Sequence, residues 1–140
     1  MTIDATERDR RRALLEEHYA AENDHDLDRI MDTFADDATM HYNRLRFEDD
    51  EAIRGAHTLV GMSASPGAFS GFRHIIDAEH YTDEEVVVEG RMFGKHSNEF
   101  LGFAPTERDV ELPFVAFYRF DNNGKLTSER VVMNLGPLQP

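Results

Sequence analysis

A chain of 140 residues with 40% apolar side chains has the size of one domain, expected here as a single unit over 1–140, and can bury a core of its own. Its formal net charge of −13, from 28 acidic against 15 basic residues, argues against nucleic acid or an anionic membrane as partner, since an acidic surface displaces no counterions from either. With no cysteine there is no disulfide, thiolate metal site or cysteine nucleophile; no apolar run is long enough for a bilayer, no leader is expected over residues 1–12, and a cytoplasmic location is the expectation.

In chain order, residues 6–23 read as an amphipathic helix capped by Asp4 or Thr6, with Glu7 and Asp9 in the first turn, where the helix dipole favours acids. Leu14, Leu15, His18, Tyr19 and Glu22 recur at helical spacing, which sets His18 and Tyr19 on or beside the buried stripe. Residues 26–34 form a second short helix capped by Asp26, and residues 35–37 a turn. A short strand follows over 39–44, with Met40 and Tyr42 on one face and His41 and Asn43 on the other. Residues 49–62 form a third helix with Ile53, His57 and Val60 to one side, and 63–71 a loop rich in Pro and Gly.

From there the pattern turns to strands: 72–82, a tight turn at 83–84, 85–96, then 110–120 after a bridging segment. Leu112, Phe114, Ala116, Tyr118 and Phe120 share one face of the 110–120 strand. The run DNNGK at 121–125 is a hairpin turn with glycine where positive φ is needed, and 126–135 is the last strand, with Glu129, Val131 and Met133 on one face. His25, His80 and His96 read as turn or surface residues.

The stretch EEVVVEGRMFGKHS at 84–97 alternates strictly, so Glu89, Arg91 and Phe93 share one face and Val86, Val88 and Met92 the other. A carboxylate and a guanidinium together inside a cavity are a candidate reactive pair; outside, they are ordinary surface. Alternation alone favours the valine face as the buried one. The whole is an α+β plan.

Residues 19–42, YAAENDHDLDRIMDTFADDATMHY, resemble the helical start of ketosteroid-isomerase-like proteins. Residues 94–120, GKHSNEFLGFAPTERDVELPFVAFYRF, with NGKLTSE at 123–129, resemble the SnoaL-like polyketide cyclases. Both groups belong to the nuclear transport factor 2 superfamily. The resemblance implies a cone-shaped, curved antiparallel sheet with three N-terminal helices on its concave face, enclosing a deep pocket, and a homodimer through the outer face. Such a fold hosts isomerases, cyclases, dehydratases, epoxide hydrolases and non-catalytic binders.

Carried over by position, the isomerase tyrosine falls on His18, its supporting tyrosine on His57, the general-base aspartate on Tyr42 and the oxyanion-hole aspartate on Ala116. The cyclase acid/base aspartate falls on Val131, and a dehydratase aspartate on Asn23. Neither constellation is intact. The same correspondence turns Glu89, Arg91 and Phe93 inward, against alternation alone, and it is the preferred register.

The expected catalytic set is therefore His18, Tyr42, His57, Glu89, Arg91 and Glu129, with Tyr19, Phe93, Phe114, Tyr118, Val131 and Met133 against substrate. Carboxylates beside Arg91 would stay ionised and histidines in an apolar cup would be pushed toward neutral. A metal site drawn from His18, His41, His57, His74, Glu89 and Glu129 is weighed and not adopted, because no HxH or HExxH spacing occurs. The expectation is a cofactor-independent acid/base enzyme on a small apolar substrate. A non-catalytic binder of an apolar small molecule is the alternative, and a purely structural dimerisation module the third.

Overall fold

The computed structural model describes residues 3–140; the first two positions, part of the expected 1–140 unit and of the 1–12 stretch, lie outside them. Helix α1 spans Ala5–Asn23 and is capped by Asp4, whose carboxylate accepts from the Glu7 N–H at 2.8 Å. Helix α2, Leu27–Asp32, is capped in the same way by Asp26, and α3, Asp50–Val60, by Asp49 at 2.7 Å. Gly61 ends α3 in the left-handed region at φ +116, and an added Cβ there would meet the Phe69 carbonyl oxygen at 2.6 Å.

Six strands follow and interleave: β1 Phe34–Tyr42, β2 Leu45–Phe47, β3 Phe69–Tyr81, β4 Glu85–His96, β5 Asp109–Phe120 and β6 Leu126–Met133, in sheet order β2-β1-β6-β5-β4-β3. The sheet is mixed rather than wholly antiparallel, because β1 and β6 run parallel. Register shifts along β3, between Ser70 and Arg73 and between Ile76 and Ala78, mark irregularities that bend a sheet. Residues 34–37, expected as helix end and turn, are already the start of β1, and residues 69–71, expected as loop, open β3. Both differences lie at element ends, where local propensity is weakest against tertiary pairing.

The helices cover one face of the sheet, and the core lies between. Met40, Tyr42, Val86, Val88, Met92, Val110, Leu112, Phe114, Ala116, Tyr118, Val131 and Met133 are buried there. Strand β4 thus takes the register that alternation alone favours. Glu89, Arg91 and Phe93 point to the outer face, which corrects their expected inward placement. A one-residue slip in the correspondence exchanges the two faces of a strand, and burying two valines and a methionine in place of two charges decides between them.

Gly90 sits on the inner face with no room for a side chain: a Cβ there would meet Phe114 Cζ at 2.6 Å and the Ile75 carbonyl oxygen at 2.7 Å. The Phe114 ring fills that space. This packing is one reason the inside of the sheet is nearly solid.

Candidate functional site

Four titratable side chains from three elements meet under the helices. His18 and Glu22 lie one turn apart on α1, His57 is on α3 and Glu129 on β6. All four are buried, with no more than 3% of any residue exposed. His18 Nε2 lies 2.8 Å from Glu129 Oε1 and 3.3 Å from Glu22 Oε2, and His57 Nε2 lies 3.3 Å from the same Glu22 oxygen.

The far sides of both rings are anchored. His18 Nδ1 is 2.8 Å from Thr33 Oγ1, and the Thr33 hydroxyl donates to the Ile30 carbonyl at 2.6 Å. That hydroxyl proton is committed, so Thr33 accepts and His18 Nδ1–H donates. His57 Nδ1 faces the Ile53 carbonyl at 2.8 Å and also donates. Both rings therefore turn Nε2 toward the carboxylates. His74, from β3, donates from Nε2 to the other Glu22 oxygen at 3.0 Å.

Despite these short separations, His18 Nε2, His57 Nε2 and Glu129 Oε1 have no hydrogen-bond partner among the described residues. The 2.8 Å contact from His18 to Glu129 is close but not aligned with the ring N–H. Buried polar atoms without partners are rare, and three in one cluster are a feature to explain.

Electrostatics follows from the same contacts. Burial pulls the His18 pKa down, but the Glu22 and Glu129 charges outweigh it and raise it to about 10, opposite to the expected shift toward neutral. Burial pushes Glu22 up, yet the imidazoles of His18, His57 and His74 hold it well below the usual carboxylate range. Burial first, and then the Glu129 and Glu22 charges, raise the Tyr42 and Tyr118 pKa values, so both hydroxyls keep their protons.

Among the expected residues, His18, Tyr42, His57, Tyr118, Val131, Phe114 and Glu129 share this inner region. Tyr42 donates to the Ala56 carbonyl at 3.0 Å, and the Tyr118 ring meets His18 edge-on at 5.6 Å. Tyr19 turns its hydroxyl to Glu79 at 2.9 Å, and Met133 is buried further along β6. Asn23 is a clamp: its amide donates to the His74 carbonyl and accepts from the His74 N–H.

Glu89, Arg91 and Phe93 are not in the cluster. Glu89 pairs with His80 at 2.7 Å, Arg91 bridges Asp77 and Glu111, and Phe93 carries the Arg73 guanidinium 4.3 Å above its ring. His41 also faces outward, and its pKa is lowered by partial burial and by Arg46 and Arg130. His96, expected at the surface, is fully buried against Phe69, with Nδ1 near Thr106.

Sequence reasoning missed Glu22 as a site residue, and Thr33 and His74 as supports. The signal for Glu22 was present: it lies four residues after His18 on the same buried stripe, where a carboxylate needs partners to stay inside.

The expected deep pocket is not there. The cavity bounded by Glu22, Tyr42, His74, Phe114, Tyr118 and Glu129 holds about 20 Å³, room for about one water. Met62, Ile76 and Met92 close it. A far larger hollow, about 550 Å³, lies on the outer face between Asp77, Arg91, Pro113 and Val132, away from the four converging groups. Its size reflects an open groove, so the chemistry is placed at the small cavity. No described helix is long and apolar enough to cross a membrane.

Known structures share this fold. SalBIII, an epoxide hydrolase/cyclase-like enzyme in pyran ring formation of the polyether salinomycin, superposes with a TM-score of 0.76 at 17% identity, over 93% of this chain and 95% of that one. A provisionally named SnoaL-like polyketide cyclase from Jannaschia sp. CCS1 gives 0.78 at 15%, over 94% and 93%. AclR, a provisional hydroxylase from Streptomyces galilaeus, gives 0.74 at 23%, over 91% and 81%. At these identities the likeness establishes the fold. No curated protein matches the sequence. A family model for the SnoaL-like domain matches residues 15–129, well over half of the chain, and the chain belongs to that family.

Proposed function

We propose that this protein is an acid/base enzyme acting on a small, largely apolar molecule, with the His18–Glu22–His57–Glu129 cluster as the reacting centre. The observation that carries the reading is the convergence of these four buried groups, three of their polar atoms unpartnered, with Glu22 and Glu129 on the wall of a small cavity. A group left unpaired inside costs about 1–3 kcal/mol, a cost more easily understood where a ligand removes it. Support also comes from the similar structures, two of which carry the names of cyclase-type enzymes.

Isomerisation, cyclisation, dehydration and epoxide opening all need a proton moved at one atom of an apolar skeleton. Glu129 is the base in this reading, His18 orients it, and the Tyr118 and Tyr42 hydroxyls sit nearby as protonated donors. Substrate enters by displacing Met62 and Met92, whose unbranched side chains repack at low cost.

The test is a panel of small apolar epoxides, enones and cyclic ketones, with products followed by chiral chromatography and mass spectrometry. Turnover of at least one class is expected, with kcat lower by ~10²–10⁴ in Glu129→Gln. Unchanged turnover in that variant would overturn the assignment of the base. A second reading, a non-catalytic binder of an apolar molecule, is favoured by the residues that stand where the isomerase and cyclase aspartates would be, Tyr42, Ala116 and Val131. It predicts a thermal shift with a panel compound that is recovered unaltered.

A further inference from the structure

We infer that His18, Glu22, His57 and Glu129 form a binding site for one divalent first-row transition-metal ion. This goes beyond proton transfer by the side chains alone, and it does not depend on catalysis.

Each of the four groups offers one ligand atom, and the four atoms all lie within 4.8 Å of one another. The two separations of 3.3 Å match the roughly 3.3 Å between ligands of a tetrahedral ion with bonds of ~2.0–2.1 Å, and the 2.8 Å between His18 and Glu129 would open by about half an ångström around such an ion. A proton shared along the His18–Glu129 line would explain a 2.8 Å contact, but the ring N–H direction misses Oε1. A ring nitrogen and a carboxylate oxygen this close without a hydrogen bond are an arrangement that a shared cation would complete.

The surrounding shell fits the same reading. A metal-bound imidazole donates its other N–H to a fixed acceptor, which sets the tautomer. Both rings do so, His18 to Thr33 and His57 to the Ile53 carbonyl. Glu22 is held in turn by His74 through the oxygen that does not face His57. Such a shell leaves both Nε2 atoms free as ligands.

Charge closes the account. Two carboxylates and two neutral imidazoles offset a divalent ion, whereas two carboxylates alone in this interior need imidazolium partners. The two-nitrogen, two-oxygen donor set suits zinc, cobalt or iron(II) better than calcium or magnesium, which take oxygen ligands. Beside the cluster, the cavity of about 20 Å³ accommodates a single water at a further position on the ion. Such an ion lowers the pKa of its water toward ~7, which would make that water the group that handles the proton.

The experiment uses the untagged 140-residue chain stripped with chelator and titrated with cobalt(II), read by visible absorption and by melting temperature, with zinc as competitor. One equivalent per chain is expected, with a melting rise of roughly ten degrees at free metal a hundredfold over Kd. His57→Gln is expected to weaken binding at least a hundredfold. Thr33→Val, which touches no metal, is expected to weaken it by ~10–100-fold through the His18 tautomer. Glu89→Gln on the outer face is expected to bind as the parent does.

If the parent chain shows neither absorption band nor melting shift, the inference is overturned, whatever the variants do. Equal binding by a folded His57→Gln overturns it as well. Absence of metal binding together with turnover that vanishes in Glu129→Gln removes the ion but leaves the acid/base reading. Metal binding without turnover of any panel compound does the reverse.

Discussion

The two faces of this sheet carry the same kinds of side chain and treat them in opposite ways. Outside, Arg91 reaches both Asp77 and Glu111 within 3.1 Å, Glu89 meets His80, and water covers whatever remains. Inside, two histidines and two glutamates stand about as close, buried from solvent, with three of their polar atoms unpartnered. Ion pairs in water are worth little, and unpaired groups in the interior are costly. The difference teaches that proximity of opposite charges does not mark a site; burial combined with unmet hydrogen-bonding capacity does.

The largest break in this contrast comes from Glu22→Ala, which leaves His18, His57 and His74 without their shared carboxylate. Urea unfolding in chelator should show a loss of about 3–5 kcal/mol, as for removal of one partner from a buried ionic pair. A change below 1 kcal/mol would mean that the interior is wetter than described. Gly90→Ala should cost about 1–3 kcal/mol by the same method, because its methyl meets both Phe114 and the β3 backbone. Adding Phe114→Leu should recover part of that cost if the ring is the obstacle, and none if the backbone is.

Thr33→Val should cost about 1–3 kcal/mol, by stranding the His18 Nδ1–H in the interior. The smallest effect belongs to the outer face. Arg91→Ala should lower the denaturation midpoint only slightly at neutral pH. The Arg91 guanidinium holds Asp77 below its ordinary value of 3.8. Any stability it adds is therefore present above about pH 4 and lost as pH falls through the lowered value. A titration of midpoint against pH in the parent and in Arg91→Ala should diverge only above that range, and slightly. A large divergence would promote the outer cluster to a structural role.

Much of the architecture was legible because local signals agreed. Aspartates at positions 4, 26 and 49 cap the three helices, Gly124 turns the last hairpin at φ +80, and the alternation over 110–120 reads directly as one buried face. Alternation also placed β4 correctly. The expectation failed where resemblance was allowed to override it, since an ungapped correspondence carries no information about a one-residue slip.

Of the cluster, His18, His57 and Glu129 were legible as inward residues, but their mutual approach was not. It depends on β6 returning beside β1 and on α3 packing over β1, and no local spacing encodes either. The filling of the pocket was equally hidden. It rests on Phe114 lying over Gly90, a contact between neighbouring strands.

The parallel pairing of β1 with β6 has a consequence in time. Leu126 N–H donates to the Thr33 carbonyl at 2.9 Å, and the Asn43 side chain clamps both backbone groups of Met133. Glu129 lies between these two fastenings. On a ribosome the N-terminal part emerges first, so both histidines and Glu22 are exposed to solvent long before the last carboxylate exists. A chain interrupted before β6 holds three members of the cluster, lacks the strand that shelters them, and is open to proteases. Synthesis of β6, closure of the sheet and assembly of the site thus coincide in a single event.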